Sequence, residues 1–460
     1  MATNSSTNIL QLNEVIVAVI PWPEHGHLNQ LFHVANFISS HNIPLHFISL
    51  TDRNQDLKCR VQSTSKIHFN DLLPPPVTQN SEPRGDFADE YAFFEFLDKL
   101  GEPICETCVE ISKRGKRLVV VFDSLMSNVI KDVYSISNAE CYSFHAISAF
   151  CMYSTFRQIV GEDHEEVARQ MFDEFPEVED CFGPDIFEFV KKDSEFNLNA
   201  GEFMNSCREL EGKYFDLLAN VRKKPLLALG PLHMLQESPD SLGNRNRHEC
   251  LEFLDEQVFN SVIFVSFGTT TTLSREQVNE LALGLEQSNH KFIWVLREAD
   301  KKMDSEKCEG KDGNFELPEG FEERVEGRGM VVRNWVPQLE ILGHKATGGF
   351  LSHCGWNSCM ESVSMGVPIA TWPIHVDQPY NAVFITNVLK VGIPVRSWAR
   401  REELVTAATI EKAVKTLMGM PEGEEIRQRA RELSNKIKNS VSHGGLAHKE
   451  RESFISCITK

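Results

Sequence analysis

The chain has 460 residues, 41% hydrophobic and 25% charged, the proportions of a globular protein with room for two or three domains. Its formal net charge of −19 argues against nucleic acid as a partner, since phosphate backbones call for clustered Lys and Arg, and against an anionic membrane surface. No window approaches the ~18 apolar residues of a membrane span. The N-terminal stretch MATNSSTNILQLNE lacks the basic and apolar regions of a signal peptide. The twelve cysteines are scattered without a C-x-x-C pair and read as reduced, buried small hydrophobes. A cytoplasmic location without membrane insertion is expected.

In chain order, VIVAVIPWP (15–23) reads as a buried strand ending in a proline-bounded turn. The next segment places Leu28, Leu31, Phe32 and Ala35 at helical spacing. PLHFISL (44–50), RLVVVFDS (117–124) and AECYSFHA (139–146) read as further strands. Apolar strands alternating with amphipathic helices predict a parallel sheet covered on both faces. The polar run 236–249 reads as a linker. The pattern then restarts with SVIFVSFGT, a helix, KFIWVLR, GMVVRNW, TGGFLSH and VPIATWP, and a long amphipathic helix follows GEEIRQ. The expected architecture is α/β with two doubly wound domains: 1–235, then the linker, then 250–440, with 441–460 as a terminal helix. Ligands of such sheets bind beyond the carboxyl ends of the strands. A cleft between two such domains would hold two ligands face to face.

GGFLSHCGWNSCMESVSMG reads as strand, tight turn and helix, with the turn at Gly355. The free N–H groups of that helix's first turn suit a diphosphate. His353, Asn357 and Ser358 add donors at the same spot. Glu361 lies one turn further on, where a carboxylate can accept both hydroxyls of a ribose. Trp335 offers a flat face to a base, Gln338 can reach the ribose, and Asp377 with Gln378 suits sugar hydroxyls. Gly268, which closes VSFG, and Thr269 and Thr270 after it are expected to meet the phosphates or sugar from a second loop. Taken in order, these residues suit a nucleotide sugar.

The run WVPQLEILGHKATGGFLSHCGWNSCMESVSMGVPIATWPIHVDQ, Trp335 to Gln378, resembles the signature box of the plant UDP-dependent glycosyltransferases. The similarity extends from Val15 to the C-terminal helices. It implies a GT-B fold, two facing Rossmann-like domains with an interdomain cleft. The acceptor is held by the first domain and the UDP-sugar by the second, and the terminal helix returns to the first. It implies that Trp335 stacks on uracil and the backbone of Val336 pairs with it. Gln338 and Glu361 then hold the ribose. His353, Asn357 and Ser358 hold the diphosphate, and Trp356, Asp377 and Gln378 line the sugar. A closing Gln, as at Gln378, is usual among glucose users. PWPEHGHLNQ resembles the family's PxxGHxxP turn, with Gln30 in place of the proline. Composition alone does not choose between His25 and His27 as a base; the resemblance picks His27. Asp123, at the end of LVVVFD, would orient and stabilise it, a role that can coexist with capping the following helix.

The expected reaction is inverting transfer from UDP-glucose to a hydroxyl of a small plant metabolite, by a monomer, without metal or other cofactor. No Asp-x-Asp occurs to bridge a metal to phosphate. Within the family the chain is most similar to the zeatin O-glycosyltransferases, in VSFGTTTTLS and NAVFITNVLKVG among other runs, which implies a cytokinin side-chain hydroxyl as the acceptor. It departs from them at Tyr380, where they typically carry Arg. Phenolic, flavonoid and terpenoid hydroxyls are the alternative acceptors. Tyr91, His145, Phe150 and Tyr380 are candidate acceptor-side residues, though aromatics at such positions suit a plain core equally. A nicotinamide dehydrogenase would need a G-x-G-x-x-G, which is absent. Zinc binding by His344, His353, Cys354 and Cys359 fits no standard spacing. A non-catalytic UDP-sugar sensor is opposed by the presence of His27 and Asp123.

Overall fold

The computed structural model of the chain describes residues 13–59, 66–74, 93, 95–160, 175–182, 198–235, 247–268, 271, 273–296 and 317–460. Strands β1 (Asn13–Ile20), β2 (Leu45–Leu50), β3 (Ile67–Leu72), β4 (Gly115–Asp123), β5 (Ala139–His145), β6 (Gly201–Met204) and β7 (Leu226–Ala228) form one parallel sheet, ordered β3-β2-β1-β4-β5-β6-β7. Strands β8 (Val262–Ser266), β9 (Lys291–Val295), β10 (Gly329–Val332), β11 (Thr347–Ser352), β12 (Ile369–Thr371) and β13 (Gly392–Pro394) form a second, ordered β10-β9-β8-β11-β12-β13. The expected pair of doubly wound α/β units is thus the architecture of the chain.

Burial on both faces explains the unbroken apolar strands. In β1, Val17 and Val19 enter one core with Leu28, Leu31 and Phe32 of the helix His25–Ser40. Ile16, Ala18 and Ile20 point the other way, into a core with Ile104 and Ile111 of the helix Gly101–Ser112. In the second sheet, Ile263 and Val265 of β8 face one core, and Val262 and Phe264 face another.

Strand order reverses between β1 and β4 in the first sheet and between β8 and β11 in the second. A crevice opens at such a switch point, beyond the strand ends. His27 follows β1 and Asp123 ends β4, while Gly268 follows β8 and His353 follows β11. The topology therefore gathers each lobe's chemistry at its own crevice.

The lobes share an apolar seam. First-lobe Phe150, Met204 and Phe215 lie in one cluster with second-lobe Trp356, Met360 and Phe384. The rings of Phe150 and Phe384 stack with centroids 5.2 Å apart. After the helix Pro421–Val441, the helix Leu446–Thr459 lies on the first sheet. Its Phe454 is fully buried, 5.0 Å from the Phe203 ring and 6.1 Å from that of Tyr142. Arg451 donates to the carbonyls of Leu229 and Pro231 at 2.9 and 3.1 Å. Residues 236–246 of the expected linker lie outside the described set.

Candidate active site

Proline-bounded β1 ends at Ile20, and the chain re-enters helix at His25 with Glu24 in extended conformation as its N-cap. Within the first turn of the helix, His27 turns its ring toward β4. Its Nδ1 stands 2.8 Å from Oδ2 of Asp123, which is fully buried, while 24% of the His27 side chain remains exposed. The other carboxylate oxygen of Asp123 accepts the Leu125 N–H at 3.1 Å. One residue thus holds the imidazole and caps the turn Ser124–Met126. Burial pulls the His27 pKa down, but the charge and hydrogen bond of Asp123, with the charges of Glu24 and Asp377, outweigh it and leave the ring above its ordinary value. With Nδ1–H donated to Asp123, Nε2 carries the lone pair.

In the second lobe, β11 ends at Ser352, whose hydroxyl accepts the Cys354 N–H at 3.1 Å. Cys354 takes a left-handed φ of 68°, and Gly355 caps the helix Trp356–Met365. The ring of His353 lies in a notch between two glycines. A Cβ on Gly268, whose φ is +78°, would stand 2.4 Å from its Nε2, and one on Gly355 2.6 Å away. Glycine is needed at 268 for both conformation and space. Beside this notch, Gln338 Nε2 donates to Ser358 Oγ at 3.0 Å and to Glu361 Oε2 at 2.8 Å. Burial pushes the Glu361 pKa up to about 7 against that hydrogen bond. Trp335 is 75% exposed, an aromatic face open at the crevice edge. Its carbonyl lies 3.2 Å from Nε2 of His248, whose Nδ1 accepts the Cys250 N–H. Val336 is buried, and its carbonyl accepts the Gln338 N–H at 2.9 Å.

Several candidates also join the lobes. Asn357 Nδ2 donates to the Gly26 carbonyl at 2.8 Å, and its Oδ1 accepts from Asn205 at 3.3 Å. Trp356 is buried, and its indole N–H donates to the Asn205 carbonyl at 2.8 Å. What Trp356 offers at the crevice is its backbone N–H, which lies near the Asp377 carboxylate and favours its charged form. Burial pushes the Asp377 pKa up to about 6, opposed by a hydrogen bond from Asn381 and by the charge of His27. The Gln378 side-chain oxygen Oε1 is committed to its own loop, accepting from the N–H groups of Ile374 and His375 at 2.9 and 3.2 Å.

Three acceptor-side candidates lie in packed interior, a correction to their reading as walls. His145 ends β5 with its Nε2 3.4 Å from Glu202, which also pairs with Arg222 at 2.7 Å; it belongs to a buried charge cluster. Phe150 packs between Tyr214 and Phe384. Tyr380 is fully buried, its ring set against Phe175 and Phe182. Tyr91, Thr269 and Thr270 lie outside the described residues. Sequence reasoning missed His248, Asn205, Ser148 and Asn381. Asn381 stands one helical turn after Asp377, a spacing that could have flagged it. Asn205 carries no such signal.

The fold and the facing crevices define a two-lobed transferase of nucleotide-activated groups. Residues 13–234 match the model of the glycosyltransferase N-terminal domain, and residues 242–434 match that of the UDP-glucoronosyl and UDP-glucosyl transferases. The chain belongs to the UDP-dependent glycosyltransferases, as the resemblance of its signature box implied. It is 47% identical to the zeatin O-glucosyltransferase of Phaseolus lunatus and 44% identical to the zeatin O-xylosyltransferase of Phaseolus vulgaris, with all of each chain covered. Among solved structures, Medicago truncatula UGT71G1 complexed with UDP-glucose is 27% identical and superposes with a TM-score of 0.77, over 97% of this chain and 99% of that one.

Proposed function

We propose that the protein transfers glucose from UDP-glucose, with inversion, to the side-chain hydroxyl of a zeatin-type cytokinin. The observation that carries this reading is the His27–Asp123 pair set across the cleft from the second-lobe crevice, close enough for the charge of Asp377 to act on His27. Uracil stacks on Trp335, the ribose diol bonds Glu361 and Gln338, and the diphosphate lies over the first turn of the helix Trp356–Met365. His353, Ser358 and the second amide hydrogen of Asn357 donate to it. Asp377 accepts from the sugar hydroxyls.

Neutral His27 takes the acceptor's proton at Nε2. The oxygen forms its bond to C1 of the sugar as the bond from C1 to the β-phosphate oxygen breaks, and UDP leaves with that electron pair. Asp123 stabilises the imidazolium that results. Both lobes of one chain supply every residue involved, so the reading needs a single copy. The buried cysteines, small hydrophobes in their cores, suit a reducing cytosol. The relatives' names support a cytokinin acceptor. A 29% identical anthocyanin 3'-O-beta-glucosyltransferase of Gentiana triflora keeps a flavonoid hydroxyl as the second reading.

The test is UDP release from UDP-glucose and UDP-xylose with trans-zeatin, cis-zeatin, flavonoids and terpenoid glycosides. Glucose transfer to a zeatin is expected, abolished in His27→Ala with UDP affinity intact. Turnover with flavonoids alone would overturn the acceptor, and loss of UDP binding in His27→Ala would overturn the base.

A further inference from the structure

The carboxylate of Asp377 is not held by its own loop alone. Asn381, one turn later and fully buried, donates from Nδ2 to Asp377 Oδ2 at 2.7 Å and to the Cys354 carbonyl at 3.0 Å. Its Oδ1 accepts from Ser148 Oγ of the first lobe at 2.8 Å. The orientation of this amide follows from its partners. A carboxylate and a carbonyl can only accept, so both amide hydrogens must face them, and the oxygen faces the hydroxyl. Ser148, also fully buried, sits just before the helix Ala149–Val160, and its Oγ accepts the Cys151 N–H at 3.0 Å. Its proton is therefore directed to Asn381.

One further contact aims the same loop from the first lobe. The N–H of Val376 donates to the Cys181 carbonyl at 3.0 Å, and Val376 holds a left-handed φ of 56°. That conformation is strained for a β-branched residue and persists only where its surroundings impose it.

We propose that Asn381 and Ser148 are positioning residues for the donor sugar, a first-lobe strut that fixes the Asp377 carboxylate toward the sugar hydroxyls. The inference rests on the reading of Asp377 as the sugar's acceptor group. It makes donor-sugar recognition depend on a hydroxyl of the acceptor lobe. The bond from Asn381 to the Cys354 carbonyl anchors the strut just past the end of β11.

The test compares calorimetric affinities of the full chain for UDP and for UDP-glucose, without acceptor. Asn381→Ala is expected to weaken UDP-glucose roughly 10- to 100-fold and Ser148→Ala roughly 3- to 10-fold, with UDP binding within about twofold of the parent. Ser148→Thr, which restores the hydroxyl, is expected to recover part of the loss. If affinities for UDP and UDP-glucose fall together, or neither falls, the strut is overturned. Should Asn381→Ala fail to fold, the Ser148 pair decides alone. Asp377→Asn separates the two readings. If it leaves the ratio of the two affinities unchanged, the sugar role of Asp377 fails. If it shifts the ratio while the Ser148 and Asn381 variants do not, only the strut fails.

Discussion

Replacing Asp123 by Asn tests the base most directly. The two side chains have nearly the same shape, and Asn can still accept the Leu125 N–H, so the turn after β4 should survive. What changes is the charge 2.8 Å from His27 Nδ1 in a fully buried position. A hydrogen bond to a charged partner contributes ~1.5–3 kcal/mol. At 1.36 kcal/mol per decade this predicts a kcat lower by at least roughly 10- to 150-fold, and the amide NH2 that then faces Nδ1 deepens the loss by favouring the tautomer with its proton on Nε2. The pH profile carries a second signature. The working form of His27 is neutral, so activity is present above its folded pKa and is lost as pH falls through that value, which lies above 6.5. Removing the Asp123 charge removes the largest influence holding that pKa up. The acid limb of kcat/KM should move to lower pH even as the plateau falls. UDP release with saturating donor, followed from about pH 5 to 9, reads both effects. An unchanged plateau, or a limb that stays in place or moves up, would refute the coupling of His27 to Asp123.

Trp335→Ala should raise the Kd for UDP roughly 5- to 150-fold, from ~1–3 kcal/mol of lost base stacking, while Tm holds because the side chain is largely exposed. Isothermal calorimetry and a melting curve read the two. Glu361→Gln should weaken UDP roughly 10-fold or more by removing a charged acceptor from the ribose diol. In the parent, UDP affinity should fall as pH drops through about 7, where Glu361 takes up a proton, and this dependence should vanish in the variant. Gly268→Ala should cost about 1–2 kcal/mol of backbone strain at φ +78° and displace the His353 ring. Donor KM should therefore rise more than acceptor KM in steady-state assays.

The doubly wound class was legible because strands buried on both faces must be apolar throughout, as VIVAVI, LVVVF and SVIFV are. The donor crevice was legible because its residues fall on one strand–turn–helix, where sequence spacing fixes geometry. The bond between His27 and Asp123 spans 96 residues. Only the general rule about strand ends, together with family resemblance, could pair them, since strand order is set by long-range pairing. His145, Phe150 and Tyr380 show the limit. Whether an aromatic or imidazole lines a cleft or fills a seam depends on what docks over it, and Phe384 and Glu202 are remote in sequence. The same reason hid Asn205 and Ser148, whose partners belong to the other lobe.

The return of the final helix to the first sheet has a practical consequence for chimeras. A donor half grafted from a relative by a single cut after residue 235 would bring a foreign Phe454 and Arg451 to sockets shaped by Phe203, Tyr142 and Leu229. Lobe exchange in this enzyme calls for two splice points, the second between Val441 and Leu446, so that the native tail stays with the half it grips.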